Sequence, residues 1–269
     1  MFFLIIEILV ILLFIIFLFI FKEKFIKKIL FYSVIFAFVF ELFGVLFGGY
    51  VYNPGFLITI FKIPIFIILS WGLIITTSYL LIKKLTNHKL TVAVLVTLSV
   101  LAIDLFFEII SVHLNFWTWN NNVVNAYLNV DPSNFIGWML VTFCFIYFYE
   151  KKPIYSIFFG FVSYLILGFI LFKVFSLIQN INLYLPAIII FSFFVTFGFI
   201  LFNKYKKKEK FIFKNNQKEI VLLYLFRLPY ILVGIIGFFI YKLYNFNFAI
   251  ILISIGVLIE IIFYYLLNK

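Results

Sequence analysis

Glu41, Asp104 and Glu108 are acids set inside long apolar runs, FAFVFELFGVLFGGYVY and VLAIDLFFEIISV, neither of which holds a lysine or arginine. A carboxylate at bilayer depth costs about 2.5–3.5 kcal/mol on insertion scales, so intramembrane acids face a cavity or a partner. Three such groups point to proton chemistry, ion binding or a polar substrate pocket. Asp104 and Glu108 are four residues apart, which sets one above the other on a single helix face. Aromatic and amide side chains follow each acid run: GGYVYNPG with Tyr50 and Tyr52, then HLNFWTWNNNVVNAYLNVDPSNFIGW with Trp117, Trp119, Tyr127, Asn134 and Trp138. The tryptophans and Tyr127 suit headgroup level as an aromatic belt, but the density of asparagines beside them exceeds what anchoring requires.

The elements that must carry these residues are membrane helices. The chain is 67% hydrophobic with 43 Phe and 17 Tyr, and 12% of its residues are charged. Lipid can solvate such surface; a soluble domain of 269 residues has no interior large enough. The apolar runs predict an all-α, polytopic transmembrane bundle of about nine helices, near 1–21, 29–48, 61–82, 90–112, 134–149, 153–172, 183–203, 220–241 and 246–267. The first run lacks a basic start and a small-residue cleavage site, so it reads as a retained helix. No long polar linker or internal repeat interrupts the pattern, which predicts one integral membrane domain over 1–269.

Net charge of +11 raises the question of nucleic acid, and its placement answers it. All lysines except Lys62, Lys173 and Lys242 fall in loops on one side of the expected topology, among them the run from Lys204 to Lys218. The positive-inside rule then puts the N-terminus outside, the C-terminus in the cytoplasm and the lysine loops beside anionic headgroups. The expected partners are the lipid bilayer and a hydrophobic ligand, with no nucleic acid, and the location is the cell membrane.

Helix geometry groups the singled-out residues by depth. At 1.5 Å per residue, Glu41 lies about 18 Å above Ile29, while Asp104 and Glu108 lie about 21 and 27 Å above Leu90. Gly44 and Gly48 form a small-xxx-small pair that lets a neighbouring helix approach. Pro64 and Trp71 share a face of the third helix, and Pro132-Ser133-Asn134 reads as the cap of the fifth. Arg227 lies near the cytoplasmic surface and snorkels, with Glu260 within reach as a salt-bridge partner. Glu7 is near enough to the outer end to reach water. His88 and His113 sit in opposite loops, too isolated for a metal site, and His113 reads as a loop hydrogen-bonder. One cysteine, Cys144, excludes an internal disulfide and a cysteine metal cluster. No Ser-His-Asp order, phosphate-cradling glycine loop, metal-ligand spacing or helix-borne lysine for a retinal Schiff base is present, and no cofactor is expected.

The order Glu-x-x-Gly, Gly-Tyr-x-Tyr, Pro and Trp, Asp with Glu four later, Trp-x-Trp, Pro and Asn-Phe-x-Gly-Trp resembles the carotenoid biosynthesis membrane-protein family. That family includes carotenoid 1′,2′-hydratases and bisanhydrobacterioruberin hydratases. The matching residues are Glu41, Gly44, Gly49, Tyr50, Tyr52, Pro64, Trp71, Asp104, Glu108, Trp117, Trp119, Pro132, Asn134, Phe135, Gly137 and Trp138, spread over 35–140. The chain departs from the family pattern at Ile109, where proline follows the second acid, and at Asn129-Val130-Asp131-Pro132, where Gly-Val-Pro is favoured.

The resemblance implies a hydratase that adds water to a terminal double bond of an acyclic carotenoid or related polyisoprenoid. Glu41, Asp104 and Glu108 would be its catalytic acids: Asp104 or Glu41 as proton donor, the other orienting water, and Glu108 as a third member. Gly44, Tyr50, Tyr52, Pro64, Trp71, Trp117, Trp119, Asn134 and Trp138 would bind substrate. Such chemistry needs a carboxyl that holds its proton, which a desolvated setting favours, and aromatic faces to stabilise a cation. A proton- or cation-coupled transporter and a non-catalytic isoprenoid- or lipid-binding membrane protein also account for buried acids.

Overall fold

In hydrocarbon every backbone N–H and C=O needs a partner, and a helix supplies them within one segment. The computed structural model describes residues 2–47, 49–119, 130, 132–177, 192, 195–200, 203, 217–245 and 247–267. Among these residues the chain forms nine helices: α1 (Phe2–Ile20), α2 (Lys24–Leu46), α3 (Ile65–Lys83), α4 (Lys89–His113), α5 (Pro132–Lys151), α6 (Pro153–Leu177), α7 (described over 195–200), α8 (Gln217–Ile240) and α9 (Asn247–Leu267). Five of them, α1, α2, α3, α4 and α8, are long and apolar enough to cross a membrane, so the chain is a multi-pass membrane protein. Most of the expected seventh helix, the lysine run at 204–216, Tyr127 with its asparagines, and Gly48 lie outside the described residues.

Burial sorts the helices into a centre and a rim. α3 and α4 are buried nearly all round, while α1 turns most of its surface outward. α4 packs against α3, α5, α8 and α9; α2 packs against α3 and α6, and α5 against α6. A helix apolar all round is stable in such a centre or in lipid, and these helices occupy both settings.

The helix ends correct the sequence reading in ways that matter for the site. α2 begins at Lys24, not near 29, which puts Glu41 about 25 Å along its axis. On the same scale Asp104 and Glu108 lie about 22 and 28 Å along α4, so Glu41 falls between them. Residues 61–64 do not open the third helix. They belong to a hairpin in which β2 (Thr59–Ile60) pairs with β3 (Ile63–Pro64). Phe61 and Lys62 between these strands both have positive φ, as a two-residue I′ turn requires. Pro64 is therefore the residue before α3, where its missing N–H costs no helical bond, and it shares no helix face with Trp71.

The largest addition is a second two-stranded ribbon. β1 (Tyr50–Tyr52) follows α2, β4 (Trp117–Trp119) follows α4, and they pair antiparallel with Tyr50 opposite Trp119 and Tyr52 opposite Trp117. The bond from Asn53 N–H to the Phe116 carbonyl, 2.9 Å, extends the ladder. Asn115, at φ 55°, turns the chain from α4 into β4; asparagine tolerates that left-handed conformation.

Candidate functional site

The ribbon explains how aromatic donors reach the acids. Side chains alternate along a strand, so Tyr50 and Tyr52 share one face and Trp117 and Trp119 share the same face of the paired strand. Val51 and Thr118, their cross-strand counterparts, are exposed on the other side. The four inward rings pack edge-on across the ribbon, with centroids 5.1 Å apart for Tyr50–Trp119 and 5.8 Å for Tyr52–Trp117. Such edge-to-face contacts suit the ring quadrupoles.

Glu41 on α2 and Glu108 on α4 then each take one strand's donors. Both phenols converge on Glu41 Oε2: Tyr52 donates at 2.6 Å and Tyr50 donates a shorter bond to the same oxygen. Both indoles converge on Glu108 Oε1, Trp117 Nε1 at 2.9 Å and Trp119 Nε1 at 3.1 Å. Burial first, and the nearby Glu41 carboxylate second, push the Tyr50 and Tyr52 phenols well above the ordinary tyrosine range. They therefore remain donors at any physiological pH. Gly44 makes the Tyr50 contact possible: it lies three residues after Glu41 on the same helix face, and a Cβ there would overlap the Tyr50 ring. The space the sequence reading reserved for a neighbouring helix is filled by that ring.

Asp104 is fully buried on α4, where Asn134 Nδ2 donates to its Oδ2 at 3.3 Å. Asn134 lies in the first turn of α5, which opens with Pro132 and not with an asparagine cap. Asp104, Glu41 and Glu108 are near enough for their charges to interact, and among the described residues no salt bridge neutralises any of them.

Beneath the ribbon lies a cavity of about 260 Å³. Glu41 and Glu108 both line it, with Gly44, Tyr50, Tyr52, Trp71, Trp117, Trp119, Asn134 and Trp138 from the expected set. Trp71 and Trp138 stack at 3.7 Å between α3 and α5. Pro64 and Asp104 are not among the lining residues; Asp104 stands behind Asn134, which is. The sequence reading missed Phe40, Phe43, Phe161, Tyr164 and Leu165, which complete the walls from α2 and α6. Nothing distinguishes them in a chain with 43 phenylalanines. The ribbon did leave a signal, the period-two Tyr-x-Tyr and Trp-x-Trp, of which the belt reading absorbed the tryptophans.

The other polar residues singled out in the sequence bond within the bundle. Arg227 does not snorkel: it is completely buried, pairs with Glu260, and donates to Ser99 O at 3.0 Å, Ser99 Oγ at 2.9 Å and Ser78 Oγ. Glu7 does not reach water either; its carboxylate accepts from the Leu57 and Ile58 N–H groups at 3.1 and 3.0 Å, tying α1 to the β2–β3 hairpin. His88 caps α4, its ring accepting from Thr91 N–H, and His113 Nδ1 meets the Ile109 carbonyl at 2.8 Å within the last turn of α4.

A family model described as "Carotenoid biosynthesis protein" matches residues 1–200 of the chain. No curated protein and no solved structure matches it.

Proposed function

We propose, from the premise that the chain belongs to the carotenoid biosynthesis protein family, that it is a membrane hydratase. It adds water to a terminal carbon–carbon double bond of an acyclic carotenoid or related polyisoprenoid. One observation carries this reading: two carboxyl groups with no cationic partner among the described residues enter one small, aromatic-walled cavity. An isolated trisubstituted alkene needs a strong proton donor, a surrounding that tolerates a tertiary cation, and a water to trap it.

Glu41 is assigned as the donor. Its proton passes to the less substituted alkene carbon, leaving a carboxylate on Glu41 and a tertiary cation on the substrate. The two phenol hydrogen bonds to Oε2 stabilise that carboxylate. The stacked Trp71–Trp138 pair offers ring faces to the cation. A water held by Glu108 adds through its oxygen and releases its extra proton to the Glu108 carboxylate. Return of that proton to Glu41 closes the cycle. Asp104 is assigned as a positioning residue, acting on the cavity through Asn134.

The test is expression of the full chain in a host that makes acyclic carotenoids, grown in heavy-oxygen water. The expected products are heavier by one water and carry the label in a new hydroxyl. A protein that binds the polyene and never adds water would move the assignment to isoprenoid binding.

A further inference from the structure

We propose that the substrate's chain leaves the cavity sideways between α2 and α6, so that only the end group is enclosed and the polyene stays in the bilayer. The inference rests on the hydratase reading for its substrate class. Its own support is volume and exposure. Engulfing a drug-sized ligand takes about 300–1,000 Å³, and a carotenoid is longer than that, yet the cavity holds about 260 Å³. Most of the substrate must lie outside.

One side of the cavity can let it out. The ribbon covers the acids, and the Trp71–Trp138 stack closes the side toward α3 and α5. Toward α2 and α6 two of the lining side chains are themselves at the protein surface: Phe47 is 79% exposed and Leu165 47% exposed. Phe43 of α2 and Phe161 of α6 meet below them with ring centroids 4.2 Å apart. Phe47 caps α2 one turn past Phe43, and Phe161, Leu165 and Phe169 follow each other at four-residue steps on α6. Phe169 continues that stripe outward at 63% exposed. The exit is thus walled by two apolar stripes with no charged side chain, and it suits a hydrocarbon chain passing directly between cavity and lipid. The protein would then select by end group and tolerate differences in chain length.

Two measurements test this, and the first involves no turnover. The full-length protein, in lipid nanodiscs loaded with an acyclic carotene, carries a photoreactive amino acid at Phe47, at Leu165 or, as a control, at the exposed Ile236 of α8. Crosslinking to the carotene several times above the control at both Phe47 and Leu165 is expected; equal yields at all three positions would overturn the portal. The second measurement narrows the exit with Leu165→Trp, which is expected to lower kcat/KM for a carotenoid at least fivefold relative to a short acyclic isoprenoid with the same end group. An equal loss on both, with the folded yield unchanged, counts against the portal. Crosslinks at the portal without water addition would remove the hydratase and keep the exit; water addition with uniform crosslinks would do the reverse.

Discussion

Two polar clusters are buried in this bundle, and they are built on opposite principles. Around Arg227 a bidentate pair with Glu260 is completed by Ser78, Thr77 and the Ile74 carbonyl of α3 and by Ser99 of α4. Charge meets charge, the guanidinium nitrogens find acceptors, and four helices are tied at one point. Around Glu41 and Glu108 the partners are neutral phenols and indoles, and both acids border a cavity. A neutralised, satisfied pair can do little except hold its place. Carboxyls held, among the described residues, by neutral donors alone keep the freedom to gain or lose a proton. The same residue type, glutamate in an apolar helix, is a strut in one place and a candidate reagent in the other.

The sharpest way to break this comparison is to exchange each acid for its amide. Glu41→Gln matches the carboxyl in size and still accepts from the two phenols, but it cannot deliver a proton to carbon. General acid catalysis contributes about 10²–10⁴-fold, so hydration should fall by that order while polyene binding and folded yield hold. Glu41→Gln with near wild-type turnover would remove Glu41 as donor.

The Arg227 cluster should respond in stability and not in chemistry. Arg227→Met leaves Glu260 buried without its cation, a loss of about 3–5 kcal/mol for pairs of this kind. Arg227→Met combined with Glu260→Met removes both charges and is expected to recover most of that loss, with turnover per folded molecule close to wild type. Thermal unfolding in detergent and specific activity separate the two effects. A double variant that stayed as unstable as the single one would show that the hydrogen bonds to Ser78 and Ser99, and not the ion pair, hold the helices.

The sequence made the acids legible because a charge in an apolar run stands out against its neighbours. It also exposed most of the cavity's polar lining, since Tyr50, Tyr52, Trp117, Trp119 and Asn134 follow the acid helices closely. What stayed hidden depends on partners far along the chain. Tyr50–Tyr52 and Trp117–Trp119 pair across more than sixty residues, and three-residue strands carry too little pattern to announce a ribbon. Glu7 and Arg227 look water-bound by position; only packing reveals the Leu57 and Ile58 amides, or Ser78 and Ser99, as their partners. Lys24, Lys27 and Lys28 suggested a loop, yet they form the first turns of α2, where long basic side chains extend from a helix end. The α6 wall was beyond reach because Phe161, Tyr164 and Leu165 look like any other residues of an apolar, aromatic-rich run.

The smallest expected effect asks whether the ribbon's alternation places the donors. Tyr52 and Val51 are adjacent in β1, but Tyr52 faces Glu41 while Val51 is 54% exposed on the opposite face. Tyr52→Phe keeps the ring and its packing on Trp117 and removes one hydrogen bond to Glu41. Bonds to charged groups are worth about 1.5–3 kcal/mol, so turnover should slow by roughly ten- to a hundredfold. Val51→Thr, which preserves β-branching on an exposed site, should shift stability by no more than about 0.5 kcal/mol and leave turnover unchanged. The pH dependence of the wild type adds a check with a definite sign. An unfolded tyrosine ionises at about pH 10, whereas Tyr50 and Tyr52 in the fold hold their protons well above that. The unfolded state therefore binds fewer protons above pH 10, and stability falls as pH rises through that range. Below it the contribution is complete and flat. Tyr52→Phe should flatten part of the alkaline decline and Val51→Thr should not. If the two substitutions proved equal in turnover and in pH profile, the donors' placement would owe nothing to which face of the ribbon they occupy.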